Sequence, residues 1–139
     1  MKSILVSVED GGHPGLHYVV DLARREPLRV HLLSVRAPLP QYVGRFFSAD
    51  AIRRLHREDG ERALAPARRV LDQAGVEHRD HVRVGYKAET IVRAARELGC
   101  ERIVLAGQGP ALLSRMRLGT VAGQVRHLLA SAHLGCEVV

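Results

Sequence analysis

Tryptophan is absent from this chain, and phenylalanine and tyrosine together make up only 4% of its 139 residues. Surfaces that grip nucleic acid by interleaving stacking rings with basic side chains therefore have little material to work with. Lysine is almost missing too: Lys2 and Lys87 are the only two, and arginine supplies the rest of a formal net charge of +6. A basic surface admits nucleotide, nucleic acid or membrane-surface partners. The charge is spread along the chain, however, and several arginines sit at helical spacing from acids, as in Arg54/Glu58, Arg57/Glu61 and Glu58/Arg62. That pattern suits a solvated helix face, and nucleotide binding is favoured over nucleic acid. No apolar run approaches the roughly 18 residues of a membrane span. The N-terminus carries no stretch of signal-peptide type, so a cytoplasmic address is expected by default. The two cysteines, Cys100 and Cys136, lie far apart and outside any Cys-x-x-Cys arrangement. Reduced, partly buried thiols are expected rather than a disulfide or a metal site.

What is present is a regular alternation. Ile4–Val8 is a nearly continuous apolar run, as expected of a strand buried on both faces, and Val30–Val35 repeats the pattern. Between them Leu16, Val19, Val20 and Ala23 form the apolar stripe of a helix, with Pro14 in its first turn and Pro27 beyond its end. A long helical pattern covers about residues 48–73, and Pro66 predicts a kink or break near Ala65. Residues 81–84 alternate as an edge strand would. A helix over 87–98 stops at Gly99, strand 102–106 follows, and a last helix opens at Thr120 and runs to about Ala130. Cys136–Val139 reads as a final short strand. Strands alternating with helices predict an α/β fold with a parallel sheet covered on both faces, in one domain over 1–139. Ligands of such sheets bind beside the carboxyl ends of the strands, where the strand order reverses.

The stretch that carries chemistry is Ala106-Gly107-Gln108-Gly109, nine intervening residues, then Gly119-Thr120 at a helix start. Glycines let backbone amides approach a ligand closely. A helix N-terminus offers free amides with partial positive charge, a natural seat for phosphate. Thr120 can cap that helix and donate to a phosphate oxygen, and Arg115 and Arg117 can add charge-assisted bonds. The bland alternative is that these glycines serve only turns and a cap.

With these residues in place, the chain resembles the universal stress protein family. Ile4–Glu9 looks like the family's opening strand, Leu32–Val35 its second strand, and Val84–Val92 the entry to its third helix. Ile103–Gly109, Leu113–Arg115 and Leu118–Val121 carry the most specific match, and the resemblance covers essentially the whole chain in order. It implies a Rossmann-like, three-layer α/β/α fold with a five-stranded, mostly parallel sheet in the order 3-2-1-4-5. It also implies an adenine nucleotide (ATP, ADP or AMP, with or without Mg²⁺) held by a Gly-x-x-Gly, nine-residue, Gly-Ser/Thr loop. Gly109 and Gly119-Thr120 match that loop, while its first glycine falls on Ala106. The acid ending the first strand, usually aspartate, is Glu9, one methylene longer. Val35 would read the adenine edge through its backbone. A second branch of the family has the same fold and binds no nucleotide, and Ala106 and Glu9 point toward it. The expected role is thus a nucleotide-responsive regulator communicating through segments 36–50 and 110–118, or else a ligand-free dimerisation or interaction module. A homodimer is implied, along with a regulatory protein partner. The family's usual pairing through its last strand would here meet the glycine and charge of Gly135 and Glu137.

Other constellations are weaker. His13/His17 and His78/His81 each lack a third ligand, so solvated histidines are expected rather than a metal site. No Gly-x-Ser-x-Gly elbow is present and no Walker lysine follows the glycines, so the chain is expected not to be an enzyme beyond slow ATP hydrolysis. Phe46-Phe47 is read as a local cluster covering the neighbouring helix, or a lid over a ligand.

Overall fold

A computed structural model describes residues 1–9, 15–105, 121–132 and 135–139. The elements in chain order are β1 (Lys2–Ser7), α1 (Leu16–Arg25), β2 (Leu28–Arg36), α2 (Gln41–Gly44), α3 (Ala49–Gln73), β3 (His78–Val84), α4 (Lys87–Leu98), β4 (Arg102–Leu105), α5 (Val121–Ser131) and β5 (Glu137–Val138). The strands form one five-stranded sheet in the order β3-β2-β1-β4-β5. Every neighbouring pair is parallel, so the sheet is wholly rather than mostly parallel.

The central strands are buried on both sides because their side chains alternate between two cores. Ile4, Val6, Val30 and Leu32 pack with Val19, Leu64, Ala67 and Leu71 of α1 and α3. Leu5, Leu33 and Ile103 pack with Ile91, Ala94, Val125 and Leu129 of α4 and α5. A one-residue slip of any central strand would exchange these two sets, so the register is firmly specified. Ser48 caps α3 by accepting from the Ala51 N–H at 3.1 Å. Gly99 ends α4 in the left-handed region at φ 67°, where a side chain would be strained.

Helix α3 settles half of one expectation, because it runs through Pro66 without a break. Pro66 and Arg62, the residue whose carbonyl the proline leaves unbonded, both lie on the exposed face, where water can satisfy that carbonyl. On the opposite face Ala63, Leu64, Ala67 and Leu71 are buried and hold the helix to the sheet. Gly60 does not interrupt the helix either. It is buried where β3 crosses, and a Cβ there would lie 2.5 Å from both Cγ atoms of Val82.

Charges on α3 also pair differently from the spacing argument. Arg53 bonds Asp50, Arg62 bonds Asp59, and Arg68 reaches Glu61 and, across to the sheet, Asp80. His78 sits between Asp80 at 2.7 Å and Asp72 at 2.8 Å. His81 faces the buried His31 across the other side of β3, with His31 Nδ1 and His81 Nε2 3.0 Å apart. His78 and His81 are therefore not solvated as expected, whereas His17 is exposed. Among the described residues no group of three or more histidine, cysteine or carboxylate side chains is arranged to hold a metal ion.

These histidines titrate in opposite senses. Burial pulls His78 down, but its bonds to Asp72 and Asp80 outweigh that and raise it above the ordinary value. Burial, aided for His31 by His81 and for His81 by Arg83, lowers both members of the other pair. A raised histidine stabilises fully below its unfolded value of about 6.5 and loses that stabilisation as pH rises through its folded value. A lowered one costs stability as pH falls below about 6.5. We expect His78→Gln to destabilise more in mildly acidic than in mildly alkaline buffer, and His81→Leu to flatten the acid-side loss. Urea unfolding across that range measures both, and identical pH profiles for the two variants would refute the assignment.

The cysteines are free, with Cys100 buried. The Cys136 thiol donates to the Cys100 carbonyl at 3.5 Å. Burial, and then the neighbouring Cys136, push the Cys100 thiol up to about 12. Since the thiolate is the reactive form, native protein should react with Ellman's reagent at Cys100 far more slowly than urea-unfolded protein. Equal rates would contradict that burial.

Candidate functional site

Because all strands run the same way, their carboxyl ends meet along one edge of the sheet. A cleft of about 830 Å³ opens there, lined by Glu9, residues 35–41 and Gly85, Tyr86 and Lys87. Its volume falls in the range of about 300–1,000 Å³ usual for small-molecule sites.

Each wall follows from local structure. The Val8 N–H donates to the Leu33 carbonyl at 2.8 Å, holding the exit of β1 beside β2 and bringing Glu9 to the rim. The Gly85 N–H donates to the Arg36 carbonyl at 3.0 Å, extending the β2–β3 ladder to the foot of α4. A Cβ at Gly85 would press on the Thr90 hydroxyl oxygen, so glycine allows the chain to turn tightly into that helix. Pro38 and Pro40 fix φ and stiffen the opposite wall. The Pro40 carbonyl accepts from Val43 and Gly44, starting α2.

Lys87, the first residue of α4, donates to the Glu9 carboxylate in an ion pair whose side chains are 30% and 33% exposed. Burial pushes the Lys87 ammonium below its ordinary value. Arg36 adds a second cation to the lining. Near the carboxyl ends of β1 and β2 two buried hydroxyls, Ser7 Oγ and Ser34 Oγ, have no hydrogen-bond partner among the described residues.

Of the residues singled out in the sequence, Glu9 and Val35 come together as walls of this cleft. Ala106, Gly107, Gly109, Arg115, Arg117, Gly119 and Thr120 lie outside the described residues, as do Asp10, His13 and Pro14. The sequence reading did not assign Arg36, Gly85, Tyr86 or, above all, Lys87 to the site; Lys87 entered it as the start of a helix and as a lysine that follows no glycine-rich loop. The available signal was topological: in a parallel sheet the residue after any strand belongs to the same edge as Glu9. Phe46 and Phe47 form no buried cluster: they are 81% and 57% exposed, and only Phe47 lines a shallow groove against α3.

An all-parallel sheet in the order 3-2-1-4-5, with helices on both faces and a cleft at the strands' carboxyl ends, defines a Rossmann-like α/β protein. The sequence matches the universal stress protein family over residues 1–130, and the chain belongs to that family. It is similar to a universal stress protein family structure from Burkholderia pseudomallei (TM-score 0.66, 22% identity, covering 99% of this chain and 95% of that one). It is also similar to the Archaeoglobus fulgidus universal stress protein in complex with dAMP (TM-score 0.62, 19% identity, 100% and 96% covered). A third similar structure is a universal stress protein family protein from Arabidopsis thaliana with AMP bound (TM-score 0.65, 14% identity, 100% and 90% covered). No curated protein sequence matches the chain. Among the described residues no helix is long and apolar enough to cross a membrane.

Proposed function

We propose that the chain, acting as one domain over 1–139, binds an adenine nucleotide in this cleft and serves as a nucleotide-responsive regulatory protein. The observation that carries the reading is the cleft itself: it gathers Glu9, Val35 and Lys87 from three elements at the sheet edge where this architecture takes its ligands. In this reading Val35 meets the adenine edge through its main chain and Glu9 reaches the ribose or base. Gly109, Gly119 and Thr120 wrap the phosphates through amides and a hydroxyl, with Ala106 and Gly107 beside them and Arg115 and Arg117 adding positive charge. ATP, ADP or AMP supplies the ligand, with Mg²⁺ accompanying a polyphosphate; occupancy then acts through segments 36–50 and 110–118 on a regulatory partner in the cytoplasm.

Calorimetric titration of the purified protein with ATP and Mg²⁺, and separately with AMP, tests it. Saturable heat is expected for one of them, lost in Gly109→Val while the far-ultraviolet circular dichroism stays unchanged. No heat and no thermal shift at millimolar ligand would sink the reading.

One observation favours a second reading, the ligand-free module. Glu9 is already engaged by Lys87, so a ligand must compete with an existing ion pair. That reading is supported if the protein purifies free of nucleotide and Glu9→Gln still binds none.

A further inference from the structure

The two cysteines lie 36 residues apart in the chain, yet the fold sets them side by side. Cys100 stands between α4 and β4, with its N–H donating to the Ala95 carbonyl at 2.8 Å. Cys136 directly precedes β5, whose Glu137 N–H donates to the Glu101 carbonyl at 2.9 Å. These bonds fix the two main chains next to each other, and the Cys136 thiol reaches the Cys100 carbonyl at 3.5 Å. Both side chains face the same core. Cys100 is buried in the cluster that holds Ile103 and Leu129, and the half-buried Cys136 packs against that cluster with Val138.

Neighbouring strands run about 4.8 Å apart, and disulfides join residues whose Cα atoms are about 4.4–6.8 Å apart. The spacing between these two segments is thus one that a disulfide spans. Access comes from the sheet edge: β5 is two residues long and pairs only with β4, so its opening disturbs few contacts. We propose that Cys100 and Cys136 form a thiol–disulfide modification site, closed by a low-molecular-weight disulfide into a clasp that ties β5 to the turn between α4 and β4.

The exchange has two steps. Cys136, the more exposed of the pair, attacks as thiolate one sulfur of the small disulfide; an S–S bond to Cys136 forms, the small molecule's own S–S bond breaks, and one small thiolate leaves. Cys100, as thiolate, then attacks the Cys136 sulfur and displaces the second small thiolate. Two protein thiols are oxidised, the small disulfide is reduced to two thiols, and the two protons pass to the released thiolates. Burial raises both protein thiols, helped at Cys100 by Cys136 and at Cys136 by Glu137. Closing is therefore slow, and because a thiol of high pKa also leaves slowly, reopening is slow too. The site is a latch rather than a fast relay. The covalent loop it closes contains β4, α5 and the Gly109 and Gly119-Thr120 pattern.

The clasp is tested without nucleotide, apart from the function proposed above. Native reduced protein is incubated with glutathione disulfide at mildly alkaline pH, quenched in acid and examined by intact mass spectrometry. The expected product is a single chain lighter by two hydrogens, free of glutathione, that yields a linked Cys100–Cys136 peptide pair. Its Tm should rise by about 5 °C or more over the reduced protein, as a cross-link closing a loop of this length does. Dithiothreitol should reverse both changes. Cys100→Ala should stop at a glutathione adduct on Cys136, and Cys136→Ser, which leaves the buried thiol in place, should keep its starting mass. Parent protein that retains glutathione, links to a second chain, or stays unreacted until urea unfolds it would overturn the proposal. So would a linked product no more stable than the reduced chain.

Discussion

Gly60→Val is expected to cost this protein about 3 kcal/mol, the upper range for overpacking a filled site. In a domain of this size such a loss lowers Tm by about 10 °C. The reason is local: the first added carbon would sit 2.5 Å from both Cγ atoms of Val82 and 3.0 Å from its Cβ. Val82 cannot swing away as the end of a long side chain would, because its crowded atoms lie next to the backbone of β3. The milder Gly60→Ala sets two effects against each other. Alanine gains roughly 0.8–1 kcal/mol of helix propensity over glycine. The clash costs about 1–3 kcal/mol, so the net change is destabilising. Val82→Ala in the Gly60→Ala background should recover much of the loss, because it removes the two methyl groups that collide. Urea unfolding read as a change in midpoint at constant slope is the measurement. A Gly60→Ala protein more stable than the parent would show that helix and strand do not approach as closely as described.

Lys87→Glu is expected to weaken nucleotide binding by about 100-fold or more, the scale on which one partner of a partly buried charge pair matters. The substitution places a second carboxylate against Glu9 in a cleft whose proposed ligand, an adenine nucleotide, is itself negatively charged. Lys87→Met separates charge loss from charge reversal and should give a smaller reduction, with a weaker salt dependence than the parent. Stability should change little in either variant, since both members of the pair are about a third exposed and partly exposed pairs contribute about 0–1 kcal/mol. Calorimetry supplies the affinities and thermal unfolding the control. Unaltered affinity in Lys87→Glu would mean that the ligand does not use this half of the sheet edge.

The places where sequence reasoning failed share a cause. Pro66 breaks helices as a rule, but whether it breaks this one depends on which face it occupies, and only packing sets the face. His78 and His81 look like surface residues because histidine is usually exposed. Their opposite fates, one between two carboxylates and one against His31, follow from the pairing of β3 with β2 and its cover by α3. Phe46-Phe47 has the composition of a local cluster, yet nothing in the adjacent sequence says that both rings stay largely in water. Lys87 was legible as a helix start, which it is, but its contact with Glu9 joins residues separated by five intervening elements.

What the sequence determined alone is the order and kind of the strands and the longer helices; the four-residue α2 was not among them. Continuous apolar runs, stripes at helical spacing and glycine stops are short-range signals that each segment carries within itself, and a βαβ chain leaves few topologies to choose from. It also carried the family resemblance and the glycine-rich pattern after β4. The tertiary structure decided which residues share the sheet edge, which charges pair and which hydrophobic side chains stay in water. Those outcomes depend on distances between segments far apart in the chain, and no local pattern encodes a distance that only the assembled sheet and its helices create.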